Sequence, residues 1–359
     1  MYAFRNVILC LLCTLIFTAN TNAQTNSKPE KIIFIIGDGM GLTQISSLYV
    51  DKTITNFERF KTIGLVKTGS ATHKITDSAA GATAYSTGKK TYNYAIGVNK
   101  DTVPEITLIE QLKEKGFNTG IVVTSSVTHA TPAAFFAHVA DRNLEEEIAT
   151  FLPNSKIDFI AGGGLKFFTK RKDKNNLLDS LNSKGYDTYL SETTVPIRLN
   201  KEKPQVMLLA ENGMPTMLKG RGSYLPDYTQ KALEYLTEKN NPFFLLIEGS
   251  QIDWAGHLND SNYLLEEMQD FDQTLGKVLD YSEKHPNTLV IVTADHETGG
   301  FSIASIKENY NKLQYLFTTK GHTSAMVPVF AVGPGSEQFS GIMENTDIHA
   351  RILQLLKID

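Results

Sequence analysis

Cysteine is almost missing from the 359-residue chain: the two present, Cys10 and Cys13, both fall in its first stretch. That stretch, MYAFRNVILCLLCTLIFTANTNA, carries one charge at Arg5, an apolar run from Val7 to Phe17, and small residues at Thr21-Asn22-Ala23. It predicts a secretory signal peptide over residues 1–23 and a bacterial protein that is periplasmic or secreted. The apolar run is too short to span a bilayer, and bulky Leu12 before Cys13 argues against a lipid anchor, so no membrane anchor is expected. Cleavage after Ala23 removes both thiols. The exported part must then fold without disulfides, and any metal it binds needs His and carboxylate ligands.

A basic excess is lacking too. Beyond residue 23 there are 34 Lys and Arg against 39 Asp and Glu, a formal charge of −5, because the leader holds one of the 35 basic residues and none of the acidic ones. Such a balance argues against a nucleic-acid-binding module. Internal repeats, low-complexity tracts and Pro-rich linkers are absent after about Asn26. With 41% apolar residues, a single domain over 24–359 is expected, with a less regular, Lys-, Gly- and Pro-richer inserted subregion at about 153–225.

What the chain does have is short apolar runs alternating with amphipathic stretches. The runs Lys31–Ile36, Thr119–Val123, Ile157–Ala161, Val206–Ala210, Phe243–Ile247, Thr288–Val292 and Pro328–Val332 read as strands. Helical periodicity appears at Ile106–Lys115, Leu144–Phe151, Asp227–Lys239, Asn262–Lys284 and Thr346–Leu356. The expected fold is therefore α/β, a central, mostly parallel sheet with helices on both faces. Ligands of such sheets bind beyond the carboxyl ends of the strands. Five of the seven runs end in or lie beside a candidate ligand: Asp38 in GDGMG, Thr128-His129-Ala130-Thr131, Glu248 with Asp253 and His257, Asp295-His296, and His322. A single acid or histidine there is often structural. Five together are not, because desolvated carboxylates repel one another unless a cation lies between them. Asp253 and His257 are spaced i, i+4 on one helical face, and mixed Asp and His ligation suits Zn²⁺, whereas Asp, Glu and Thr oxygens suit Mg²⁺.

One serine completes the set. In TDSAAGATAYSTGKKT, Asp77 and Ser78 open a helix of small residues, so the Ser78 hydroxyl stands at a helix N-terminus, where an alkoxide or phosphate is favoured. Alone it reads as an ordinary N-cap; a nucleophile also needs a base or a metal to take its proton.

Taken together, IIGDGMG, TDSAAGATAYSTGKKT, THATPAA with AHVADR, IEGSQIDWAGH, TADHETGG and KGHT resemble the alkaline phosphatase family, in particular its compact bacterial members, from about Lys31 to the C-terminus. The resemblance implies an alkaline-phosphatase-like fold and hydrolysis of small phosphate monoesters through a covalent phosphoserine on Ser78. It implies one zinc site of Asp253, His257 and His322 and a second of Asp38, Asp295 and His296. A third, magnesium-type site would take Asp38, Thr131 and Glu248. Arg142 would hold two phosphate oxygens through its planar fork. At two variable positions beside the substrate this chain carries His129 and Trp254 where other members have an acid and a lysine. His129 leaves Zn²⁺ or Co²⁺ beside Mg²⁺ as candidates for the third site. A homodimer is the family expectation. The alternatives are a phosphodiesterase or sulfatase of the same architecture and a non-catalytic binder. Ser78 followed by Ala-Ala-Gly, together with Arg142, argues for monoesters.

Overall fold

Residues 28–51, 54–307 and 309–358 are described by the computed structural model; the expected signal peptide lies outside them. The strands among them are β1 (Lys31–Gly37), β2 (Thr62–Lys67), β3 (Asn118–Ser126), β4 (Phe159–Gly163) and β5 (Asp187–Tyr189). They continue as β6 (Gln205–Leu208), β7 (Phe243–Gly249), β8 (Thr288–Thr293), β9 (Glu297–Thr298) and β10 (Phe301–Ile306). The last are β11 (Asn309–Phe317), β12 (His322–Thr323), β13 (Val327–Val332) and β14 (Gly341–Glu344). Ten of them form one sheet in the order β14-β2-β13-β8-β1-β7-β3-β4-β6-β5.

The middle of that sheet is made from the apolar runs. In β1, Ile32, Ile33, Phe34, Ile35 and Ile36 are all fully buried, as are the five apolar residues opening β7. Successive side chains point to opposite faces, and both are covered: helices Tyr224–Glu238 and Ser261–Lys284 pack together on one, while Tyr85 and Phe135 meet Phe34 on the other. From β8 to β5 the pairings are all parallel. β13 differs: it runs antiparallel to both β8 and β2. A parallel return needs a crossover to the other end of the sheet. After β8 the chain instead stays at the carboxyl end through β9 to β12 and re-enters from there.

Each expected helix is present with ends shifted by up to three residues, for example Leu108–Glu114, where Thr107 and Glu110 make a reciprocal capping box. The stretch 153–225 supplies β4, β5 and β6 to the edge of the same sheet. Its last part is pinned to the long helix Ser261–Lys284 by Arg221, whose buried guanidinium pairs with Glu267 and, at 2.8 Å, with Asp270. The Met217 amide also donates to Glu267. This anchored loop lies over the site described next, with Gly213 against the Trp254 ring, so close that a Cβ there would stand 2.5 Å from it.

Candidate metal centre and nucleophile

At the carboxyl end of β1 the chain turns through Gly37-Asp38-Gly39. Gly39 has φ +75, and a Cβ on it would meet Asp253 Cα and Thr298 Oγ1 at 2.8 Å. Glycine is thus required twice over, for the turn and for the close approach. The Gly39 amide donates to Asp295 Oδ1, which ties the end of β1 to the end of β8. Asp38 is fully buried and neither of its carboxylate oxygens has a hydrogen-bonding partner.

Ser78 begins the buried helix Ser78–Thr87, capped by Asp77, whose Oδ1 accepts from the Ala80 amide at 3.0 Å. The small residues of this helix let it sit close to β8: a Cβ on Gly81 would lie 3.1 Å from Asp295 Cβ. Ser78 Oγ consequently stands 3.3 Å from His296 Nε2. The other Asp77 oxygen accepts from Arg142 Nη1 and from the Tyr94 amide, each at 3.1 Å. One carboxylate therefore both caps the serine helix and aims the arginine beside it.

The imidazoles are oriented from behind. His257 Nδ1 bonds the Lys320 carbonyl and His322 Nδ1 the Thr76 carbonyl. Both Nε2 atoms, 3.2 Å apart, then face Asp253, at 3.3 Å from His257 and 3.6 Å from His322. His296 Nε2 lies 3.2 Å from Asp295 Oδ2 and 3.6 Å from Asp38 Oδ1. Backing of one ring nitrogen by an acceptor leaves the other free to ligate.

Among the described residues, three groups of carboxylate and imidazole atoms are close enough to hold a cation: Asp253, His257 and His322; Asp38, Asp253 and His296; and Asp38, His129 and Glu248. The first is the trio expected from sequence. In the second, Asp253 joins Asp38 and His296, and Asp295 stands against the same imidazole. In the third, His129 joins Asp38 and Glu248; Thr131, also expected at this site, is fully buried two residues further on. The buried His129 Nδ1 has no partner, while Nε2 faces Arg142 Nη2 at 3.2 Å. Glu248 is held by the Ser125 and Ser250 hydroxyls. Trp254 meets His129 edge to face, with ring centres 5.9 Å apart.

A buried, partnerless carboxylate beside imidazoles whose far ring nitrogens are held by backbone acceptors fits a divalent cation. The family model described as Alkaline phosphatase matches residues 30–316. The chain belongs to the alkaline phosphatase family. Alkaline phosphatase 4 of Bacillus subtilis is 32% identical over 94% of this chain and 91% of its own length. Alkaline phosphatase from the Antarctic bacterium TAB5 is 46% identical, with a TM-score of 0.89 covering 92% of this chain and 99% of that one. A variant of the TAB5 protein, with a histidine replaced by aspartate and Mg bound in its M3 site, gives 45% identity and a TM-score of 0.88, with the same coverage. Among the described residues no helix is long and apolar enough to cross a membrane.

Sequence reading within this family framework missed Thr298, Glu297 and the double role of Asp77. Thr298 had a usable signal: it follows His296 by two residues in an extended segment and so shares its face. Glu297 accepts from Gln44, Gly300, Phe301 and Thr323, which fastens the turn carrying His296 to three other segments.

Crowding shifts the ionisations of this alkaline phosphatase family centre. Burial, then the charges of Asp295, Asp253 and Glu248, push the Asp38 carboxyl well up. Burial pushes Glu248 up to about 7 and Asp295 up to about 6. Burial would also raise Asp253, but the His257 hydrogen bond and the charges of His296, His257 and His322 outweigh it and hold it below the usual carboxylate range. The hydrogen bond to Asp253 raises His257 to about 9, and burial, then Arg142, lowers His129 to about 3.

These directions fix a pH dependence for the metal-free protein. Glu248 and His257 bind their protons more tightly when folded. The stability each contributes is whole below its ordinary value and is lost as pH rises through about 7 and about 9 respectively. His129, with its lowered value, alters stability only below its ordinary 6.5. From pH 7 to pH 9 the metal-free melting temperature should therefore fall, while added zinc, whose ligands must be deprotonated, should raise it more at the upper end. Calorimetry with and without chelator checks this; a metal-free melting temperature that is flat or rising over that window contradicts it.

Proposed function

We propose that the chain hydrolyses phosphate monoesters through Ser78, in a centre holding two Zn²⁺ and a third cation. The observation that carries the reading is Ser78 Oγ at a helix N-terminus, 3.3 Å from His296 Nε2, with Arg142 aimed beside it by the Asp77 that caps the same helix. Asp253, His257 and His322 would hold one zinc, and Asp38, Asp295 and His296 the other. Asp38, Glu248 and Thr131, with His129, would hold the third cation. When bound, the two zinc ions act as Lewis acids that lower the Ser78 pKa and stabilise the entering and leaving oxygens of an in-line displacement.

The chain's own residues supply the rest. The Ser78 helix directs its amides and positive dipole end at the phosphoryl group. Arg142 grips two non-bridging oxygens, and its orientation is set before substrate arrives, so little ordering remains to be done on binding. Ser78 Oγ attacks phosphorus as the alcohol leaves, giving phosphoserine; water then cleaves that ester and releases inorganic phosphate. Two inversions leave the configuration at phosphorus retained. Trp254, packed between Gly213 and His129, carries no charge toward phosphate, and product should be released more readily than from a pocket with a lysine there. The same reading includes export through the leader and a homodimer, which light scattering of the purified protein tests; a monomer at micromolar concentration would remove the dimer.

Acid quench of the protein mixed with labelled phosphate monoester should trap phosphate on Ser78. Ser78→Ala should lose that label and at least a hundredfold in turnover, of the order seen when a nucleophile is removed, with zinc content unchanged. Label on another residue, or none, contradicts the covalent route.

His129 brings a nitrogen to a site otherwise made of oxygens. His129→Asp should shift it toward Mg²⁺, a cation that prefers oxygen ligands, as the TAB5 variant with Mg in its M3 site illustrates for that protein. Metal analysis after dialysis against mixed Zn²⁺ and Mg²⁺ reads the ratio. An unchanged ratio would detach His129 from the site.

A further inference from the structure

Thr298 belongs to the family motif region but has no role in the chemistry above. Its hydroxyl lies 2.5 Å from Asp253 Oδ1 and 3.1 Å from His296 Nδ1. It is the atom between one residue of the first cation group and one of the second. A hydroxyl has one proton to give, and a contact of this length to a carboxylate oxygen needs that proton. Thr298 therefore donates to Asp253 and can only accept from His296. The His296 ring must then carry its hydrogen on Nδ1. Its Nε2 is left with the lone pair, directed at Ser78 Oγ, Asp38 Oδ1 and Asp295 Oδ2.

The hydroxyl is held there from every side. The Thr298 amide donates to the Gly39 carbonyl, and its own carbonyl accepts from Gln44 Nε2. Gly39 and Gly256 leave room for it: a Cβ on Gly39 would lie 2.8 Å from Thr298 Oγ1, and one on Gly256 would lie 2.9 Å from Thr298 Cγ2. Across the β9–β12 pairing, Thr298 is the register partner of His322, the third member of the first group. Thr298 is fully buried, so water does not compete for its proton.

We propose that Thr298 is a positioning residue that couples the two zinc centres: its hydroxyl fixes one carboxylate oxygen of Asp253 and selects the His296 tautomer able to ligate. The proposal rests on the two-zinc reading given above. Loss of the hydroxyl would leave Asp253 Oδ1 without its donor and let the His296 hydrogen move to Nε2, the ligating nitrogen. Both sites should weaken together, although Thr298 itself binds no metal.

The test compares Thr298→Val, which keeps the shape and loses the hydroxyl, with Thr298→Ser, which keeps the hydroxyl. Zinc-loaded parent and variants are challenged with graded chelator and the zinc released from each site is counted. Valine should weaken both sites by about 10- to 100-fold, the range found for lost supporting hydrogen bonds at metal ligands; serine should stay within about threefold of the parent. Two-bond ¹⁵N–¹H spectra of the parent should show the His296 hydrogen on Nδ1. Valine with both affinities unchanged, weakening of one site only, or serine behaving as valine would each overturn the proposal. Should the valine variant fail to fold, the parent spectrum decides alone, since a hydrogen on Nε2 contradicts the assignment. A parent that takes up fewer than two zinc ions instead overturns the two-zinc reading on which this rests.

Discussion

Asp38, Glu248, Asp253 and Asp295 are buried together at the carboxyl rim of one sheet, and the rest of the centre depends on managing that crowd. Two like charges 4 Å apart at an effective dielectric of about 20 repel by roughly 4 kcal/mol, and here four carboxylates share one small volume. Without cations the protein answers by protonation: Asp38, Asp295 and Glu248 are all pushed up. Only Asp253, flanked by three imidazoles, is held down. An arrangement that is strained without positive charge and satisfied with it is a preformed cation site. The sheet makes it possible, because parallel neighbours end at a common rim and deliver their turns to one place.

Close packing around that rim does the remaining work. Gly39 lets Asp253 and Thr298 approach the end of β1, and Gly81 lets the serine helix approach Asp295. Ser78 and the proposed ligands can meet only because the backbone between them lacks side chains. A layer of neutral acceptors then sets the rings, the Lys320 and Thr76 carbonyls for His257 and His322 and the Thr298 hydroxyl for His296. Asp77 performs the corresponding task for Arg142. Orientation before binding is the larger part of what such a scaffold contributes, since the groups that meet the phosphate need little rearrangement.

Much of this was legible in the residues. Strands buried on both faces are written as apolar runs, so all seven runs became strands of the main sheet. β2 and β14 were not seen because their faces are partly exposed, as at Ile63 and Ile342, and their composition carries no such run. The direction of β13 was hidden for another reason: it is set by the connection from β8, not by the strand's own sequence. For the site, motif position gave the rim residues, because position at a strand end is a sequence property. It did not show that Asp253 stands between two cation groups or that Thr298 bridges Asp253 and His296. Those are matters of side-chain rotamer and of which ring nitrogen faces which acceptor, and no spacing rule encodes them.

The claim that the buried carboxylates exist to hold cations is tested most directly by diffraction from crystals of the zinc-loaded protein on both sides of the zinc absorption edge. The account predicts two strong anomalous peaks, one among Asp253, His257 and His322 and one among Asp38, Asp295 and His296, with weaker or absent zinc signal between Asp38 and Glu248 when Mg²⁺ is supplied. A single peak, or peaks away from these side chains, would contradict it.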